Sequence, residues 1–253
     1  MSAVLAITLG NSSAAAALAQ DDALGQIRRA GIERLDDLGG VLARACPDCG
    51  GEATPIAVAS VNPPALKRLE RLLADMSLPA PLVARRDFPI PIRTEVDVPE
   101  RVGVDRLLGA LAAYRRLGGA CVVVDFGTAI TVNSVRADGV FLGGAILPGL
   151  GLAARALAEG TALLPEIPLP GKANPVGRNT EEAIAAGVIH GAAGAAANLI
   201  RGARQVIGAE ARVILTGGDA VRVVDHLPPD CRQVLPDLVL EGLVIAYRER
   251  PKP

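Results

Sequence analysis

Short apolar runs alternate with polar glycine turns along this chain, and the pattern occurs twice. Residues 4–9 are apolar and predict a strand, Gly10-Asn11-Ser12-Ser13 predicts a polar turn, and residues 14–19 predict a returning strand or a helix start, since alanine suits both. The same order returns at residues 121–135, CVVVDFGTAITVNSV, where 122–124 and 130–135 read as strands around a turn of Asp125, Phe126, Gly127 and Thr128. Set against each other, LAITLGNSSAAAAL and VVVDFGTAITVNSV share a strand, a glycine followed by Asn or Thr, a hydroxyl residue and an apolar run. The repeat predicts two duplicated units of the βββαβα kind.

Between and after the two copies the pattern predicts further elements. The spacing of Ile27, Ile32, Leu35, Leu38 and Leu42 predicts a helix over 25–45, weakened by Gly39-Gly40. Residues 55–61 read as a buried strand ended by Asn62-Pro63-Pro64, and 65–76 as a helix. Proline-punctuated residues 79–99 read as an extended loop. A helix over 100–117 carries Asp105-Arg106 in its first turn, and Gly118-Gly119 ends it, dividing an N-terminal lobe (1–117) from a C-terminal lobe (118–253). In the second lobe Asp138-Gly139 marks a hairpin turn and 142–149 a glycine-rich strand-to-helix passage. Helices follow over 150–159 and from an Asn179 or Thr180 cap to about 207, then a strand over 213–215, a helix opened by residues 216–220 and a last helix over 238–247. Gly187, Gly191 and Gly194 in the long helix predict close packing against another helix or a second chain.

At 253 residues and 50% apolar the chain can bury a substantial core, built from Leu, Val, Ile and Ala because aromatics make up only 2%. The formal net charge of −1 offers no electrostatic case for nucleic acid or a membrane surface. No secretory pattern and no membrane-length apolar run are read, so the expected location is the cytoplasm. Cys46 and Cys49 have zinc-knuckle spacing but lack a second ligand pair and read as inert loop thiols; Cys121 reads as a small buried residue.

The candidate chemistry lies in three glycine-hydroxyl turns, Gly10-Asn11-Ser12, Gly127-Thr128 and Thr216-Gly217-Gly218, each following an apolar strand. Glycine admits a phosphate to the backbone, and the exposed N–H groups of such turns form an anion nest. Asp125 is placed to hold a cation beside that anion. Neither G-x-x-x-x-G-K-[ST] nor G-x-G-x-x-G after a strand is present, which excludes P-loop and Rossmann signatures. Phosphoryl transfer also needs a group to take the acceptor's proton; Asp105 is the candidate, with Arg106 as an anion clamp. The two histidines, His190 and His226, make no Ser-His-Asp arrangement, and His190 reads as packing.

The ordered series GN-S, VASVNP, VGVDR, VVDFGTA-T, GGAI-PG, T-LLP, NT-EAI-AG, TGG-A and PDL-LEGL resembles type III pantothenate kinase over nearly the whole chain. The resemblance implies an α/β fold of two duplicated ribonuclease H-like, actin-type lobes, with mixed sheets flanked by helices and an interlobe cleft. It implies phosphorylation of pantothenate by ATP with Mg2+, the first step of coenzyme A biosynthesis, in a homodimer. By position, Thr8, Leu9, Gly10, Asn11, Ser12, Ser13, Ala14 and Ala15 match the family's first phosphate turn. Gly103, Val104, Asp105 and Arg106 match its pantothenate segment, with Asp105 as proton acceptor, and Thr180 a further pantothenate contact. Thr128 matches an ATP contact, Asp125 the ligand of a monovalent cation (K+ or NH4+), and Gly217 and Gly218 the adenosine turn.

The chain departs from the family at four places. Thr8 replaces an Asp, Ser12 a Thr and Asn133 an acid, and Val96-Asp97-Val98 replaces a segment with an aromatic and Asn-Pro. Two alternatives therefore stand beside the kinase reading: a catalytically impaired or regulatory relative that binds a partner or metabolite, and a kinase for another small hydroxyl compound.

Overall fold

The structure, a computed structural model, describes residues 3–21, 23–43 and 54–251. Its described residues form two compact units, the first within 3–92, 98–112 and 238–251, the second from Arg93–Asp97 and Ala113–Asp237.

The first unit is built on one mixed sheet. β1 (Val4–Leu9) and β2 (Ser13–Gln20) form an antiparallel hairpin, and β3 (Ala23–Leu24) and β4 (Arg28–Gly31) both pair with β2. A 3-10 segment, Ile32–Leu38, leads into the single-turn α1 (Gly39–Leu42). β5 (Ile56–Ser60) runs parallel to β1 on its other side, α2 (Pro63–Asp75) follows, and β6 (Leu82–Val83) extends the sheet.

β1 and β5 are apolar except at Thr8 and Ser60, near their C-terminal ends, because both faces of the sheet are covered. Leu5, Ile7, Leu9, Ile56 and Val58 enter one core with Leu35, Leu38, Leu69 and Leu73. Val4, Ala6, Ala57 and Ala59 point the other way, to Leu108 and Leu111 of α3 (Val104–Leu117) and Leu240, Leu243 and Val244 of the last helix, α7 (Leu238–Glu249).

The second unit repeats the plan. Its sheet is ordered β11-β8-β9-β10-β7, from β7 (Arg93–Thr94), β8 (Cys121–Phe126), β9 (Ala129–Val135), β10 (Val140–Pro148) and β11 (Arg212–Thr216). β8 and β9 form a hairpin and β11 lies parallel to β8, as β5 does to β1. Thr8 and Asp125 hold the same place in the two copies: Thr8 faces Ala15 and Ala59, Asp125 faces Thr131 and Thr216. α4 (Leu150–Gly160), α5 (Thr180–Ile207) and the short α6 (Ala220–Val223) complete the unit.

The helix expected over 25–45 does not form. Residues 28–31 extend the sheet at β2, and Arg34 leaves helical geometry (φ −124°, ψ 50°), so Leu35, Leu38 and Leu42 reach the core from a 3-10 turn and a single α turn. α3 begins at Val104, four residues later than expected, after a separate 3-10 turn at Pro99–Arg101. The C-terminal helix, assigned to the second lobe from sequence, packs on β1, β2 and β5 of the first unit. α5, 28 residues long, is long and apolar enough to cross a membrane, although no membrane-length apolar run is read from the sequence. Ile184, Ile189, Ala193, Ala196 and Ile200 bury its inner face in the core with Val122, Val124 and Val132, as in the central helix of a globular unit.

Within the first unit α7 lies so close to α3 that a Cβ on Gly242 would come within 2.1 Å of the Leu108 carbonyl oxygen. Gly242→Ala is therefore expected to destabilise the protein by about 2–3 kcal/mol, read as a lowered urea midpoint with an unchanged m-value.

Candidate functional site

In the first unit, the turn after β1 is fixed by its own backbone and by two neighbours. Gly10 N–H donates to the Ser13 carbonyl at 2.8 Å, and Ile32 N–H, just past β4, donates to the Ser12 carbonyl at 3.0 Å. Asn62 donates to the Gly10 carbonyl at 3.4 Å while its Oδ1 caps α2 by accepting from Ala65 N–H at 3.1 Å. Leu9 and Ala14 are buried, Thr8, Gly10 and Ala15 half-buried, and Asn11, Ser12 and Ser13 exposed, so the polar tip of the turn faces outward from a fixed base.

The head of α3 holds the second cluster of this unit. Asp105 Oδ1 accepts from Arg106 N–H at 2.8 Å, and a Cβ on Gly103 would lie 2.5 Å from the same oxygen. Glycine at 103 thus leaves the space the carboxylate occupies. Burial raises the Asp105 pKa, with the Arg106 backbone and charge acting in the opposite sense, and burial lowers the pKa of Arg106. Val104, beside them in the first turn, is buried in the core. Arg85, which the sequence reading did not single out, holds the approach to this helix. Its guanidinium donates to the carbonyls of Val102 at 2.6 Å and Pro99 at 2.7 Å, and its backbone is left-handed (φ +68°). The positive φ leaves no trace in sequence, because arginine is not a residue that marks it.

In the second unit two strand-end turns and Gly149 converge. Gly217 has φ +89°, and a Cβ there would meet Asp125 Oδ1 at 2.3 Å and the Phe126 carbonyl at 2.5 Å. Asp219 N–H donates to the Phe126 carbonyl at 3.0 Å, locking the 216–219 turn to the end of β8. Gly149 N–H donates to the Thr128 carbonyl at 3.1 Å, and a Cβ on Gly149 would fall 2.2 Å from the Gly127 carbonyl. The structure thus brings together Asp125, Thr128, Gly217 and Gly149, of which sequence reasoning placed Gly149 only in a glycine-rich passage. Gly218 is exposed with open space around it.

Thr180 is exposed as the first residue of α5. Asn179 Oδ1 accepts from Glu182 N–H at 2.9 Å, and the Glu182 carboxylate accepts from Arg178 N–H at 2.8 Å, a reciprocal cap that fixes the helix head. Of the departures, Asn133 is buried and donates to Thr131 Oγ1 at 3.0 Å; a neutral amide there avoids burying a charge. Val96 sits beside Gly143, in a segment pinned by Glu95 N–H on the Phe141 carbonyl and by the bidentate Arg136–Glu95 pair at 2.8 and 2.9 Å. Cys46 and Cys49 lie outside the described residues, and among those described no three His, Cys, Asp or Glu side chains cluster as for a metal.

The family model for type III pantothenate kinase matches residues 4–202. Among curated type III pantothenate kinases, that of Rhodopirellula baltica is 40% identical over 224 residues, covering 84% of this chain and 80% of that protein. The Thermomicrobium roseum protein is 39% identical over 199 residues (78% and 76%), and that of Roseiflexus sp. strain RS-1 is 33% identical over 257 residues, covering 96% and 98%. Solved structures similar in fold include a Baf family putative transcriptional activator from Campylobacter jejuni (TM-score 0.59, 18% identity, 97% and 98% covered). Another is the activator of 2-hydroxyisocaproyl-CoA dehydratase from Clostridium difficile (TM-score 0.54, 10% identity, 98% and 95% covered). The fold is α/β, two duplicated actin-type units with mixed sheets.

The raised pKa of Asp105 has a thermodynamic sign. A carboxyl that titrates higher in the folded state contributes most to stability below its unfolded pKa, near ~3.9, and that contribution is lost as pH rises through the folded value. Asp105→Asn is expected to melt above wild type at pH 7, with the gain vanishing as pH approaches ~4, in paired thermal melts.

Proposed function

Because the chain belongs to the type III pantothenate kinase family, we propose that the residues at its two strand-end turns and at the head of α3 carry that family's reaction here. The protein is a kinase that phosphorylates pantothenate with ATP to give 4'-phosphopantothenate, the first step of coenzyme A biosynthesis. The observation that carries the reading is the family match itself. The matched range, 4–202, includes the turn after β1, the head of α3, the turn after β8 and the head of α5.

Asp105 accepts the proton of the pantothenate hydroxyl as that oxygen bonds to the γ-phosphorus and the bond to the bridging oxygen of ADP breaks. Its raised pKa makes it a better base than a free carboxylate. Arg106 and Thr180 bind the acceptor, alongside the Gly103–Val104 backbone. Residues 8–15 and Thr128 hold phosphates through turn N–H groups and hydroxyls, and Gly217 and Gly218 lie along the adenosine. A divalent ion carried on the triphosphate supplies charge neutralisation. Asp125 fits a monovalent cation, because one carboxylate among turn carbonyls offers oxygen donors without the charge a resident divalent site needs. The exposed Gly187, Gly191 and Gly194 of α5, with open space at each Cβ position, suit the face of a homodimer, and the cytoplasm is the expected compartment.

Thr8 supplies a hydroxyl where its counterpart in the second copy, Asp125, supplies charge. A hydroxyl can hold a metal-bound water but does not offset positive charge.

The direct test is phosphopantothenate formation by the purified protein with ATP, Mg2+, K+ and pantothenate; no product at high protein concentration overturns the reading. Asp105→Asn is expected to lower kcat roughly 10²–10⁴-fold. Thr8→Asp is expected to raise kcat by on the order of 10²-fold if the hydroxyl limits the reaction. An unchanged rate in the same steady-state assay would instead remove the ground for an impaired relative.

A further inference from the structure

The loop 161–178 has no regular structure, yet it is tied down at several points within the second unit. Ile167 is buried in the core, and Leu164, Leu169 and Ala173 pack on it. His190 Nε2 on α5 lies 3.0 Å from the Ala173 carbonyl, and Lys172 pairs with Asp225 at 3.4 Å. The link with mechanistic content is Arg222 in α6, the short helix that follows the 216–219 turn. Its Nη1 donates to Asp219 Oδ1, its Nε to the Pro170 carbonyl at 3.2 Å and its Nη2 more weakly to the Leu169 carbonyl at 3.5 Å.

One guanidinium therefore joins two segments that serve different substrates in the reading above. Asp219 belongs to the turn assigned to adenosine and is itself anchored on the Phe126 carbonyl, next to Asp125. Pro170 belongs to the wall of a cavity of about 350 Å³ that the loop forms with the head of α5, lined also by Ala173, Glu181 and Ala185. Thr180, the proposed pantothenate contact, immediately precedes Glu181 in that helix head. The planar fork of arginine can bind one carboxylate and two carbonyls at once; a lysine ammonium at the same place cannot span them.

Resting on the assignment of the 216–219 turn to the nucleotide and of Thr180 to the acceptor, we propose that Arg222 is a positioning residue that holds the 168–174 wall in register with the nucleotide turn. Occupancy of the turn then steadies the acceptor-side loop through the Asp219–Arg222–Pro170 link, with no contact between Arg222 and either substrate. Both partners of the ion pair are half-buried, with side-chain exposures of 32% for Arg222 and 24% for Asp219, so the pair is only partly screened.

Hydrogen exchange of the full chain with ATP and Mg2+ alone, without pantothenate, tests this. In the wild type, ATP is expected to slow exchange both in the 216–220 backbone and in 169–175. In Arg222→Met the first effect persists and the second is lost, and the KM for pantothenate rises about tenfold with kcat and the KM for ATP within about twofold. Arg222→Lys, which retains the Asp219 pair, is expected to fall between the two and carries the same test should the methionine variant fail to fold. Protection of 216–220 without protection of 169–175 in the wild type, or equal protection of 169–175 in wild type and Arg222→Met, overturns the positioning role alone. Absence of ATP protection at 216–220 in the wild type overturns the nucleotide assignment on which the role rests.

Discussion

The close approach of a turn to a strand end in the second unit is the constraint from which its site geometry follows. Gly217 comes near enough to the Asp125 carboxylate and the Phe126 carbonyl that no side chain fits, and its positive φ turns the chain into α6. Because β11 runs parallel to β8 with Thr216 beside Asp125, both strands end at one level and their turns must share the space above them. Glycine resolves that crowding, and the same lack of a side chain leaves backbone N–H groups accessible to a phosphate. Gly149 repeats the solution on the other flank, against the Gly127 and Thr128 carbonyls. Packing and ligand recognition therefore make the same demand at these positions.

Duplication explains why the two hairpins look alike and why they differ. Each unit places a hairpin beside a parallel strand, and each hairpin turn begins at an equivalent residue, Thr8 or Asp125. Only the second copy carries a carboxylate there. In the first unit the neighbour opposite is Ala59, and the turn is held by Asn62 and Ile32 instead of a second glycine turn. A carboxylate beside the small, apolar Ala59 would have to find its counter-charge in a ligand, whereas a threonine hydroxyl is satisfied by either a donor or an acceptor.

Much of this was legible in the sequence where local rules and tertiary needs agree. β1, β5, β8 and β11 declare themselves through apolar runs bounded by glycine or Asn-Pro, and α5 through its Asn179 or Thr180 cap. The repeat itself was readable because a hairpin plus a glycine turn is a compact local signal. The helix expected over 25–45 failed because leucines spaced three or four apart serve equally well a strand followed by a 3-10 turn, and the free edge of β2 recruits residues 28–31. The place of α7 was invisible because nothing local marks which sheet a C-terminal helix will cover; Gly242 lying against Leu108 is a tertiary fact. Arg85 and Arg222 were missed for a related reason. An arginine that binds backbone carbonyls leaves no pattern in sequence, since its partners are atoms every residue possesses.

These two arginines bear on how the site is held. The segments that carry substrate-facing groups are loops and helix heads, where regular backbone pairing ends and carbonyls need other donors. Arg85 satisfies two carbonyls ahead of Asp105, and Arg222 does so in the loop ahead of Thr180. In each case a charged donor replaces the secondary structure that would otherwise order the segment. Such a link is stronger than a neutral hydrogen bond yet is made by one side chain, so the segment can remain irregular without being free to move. Asp105 shows the complementary side of this design. Its carboxylate is kept in a place that raises its pKa, at a cost to folding, at the head of a helix whose approach Arg85 ties down at the Pro99 and Val102 carbonyls.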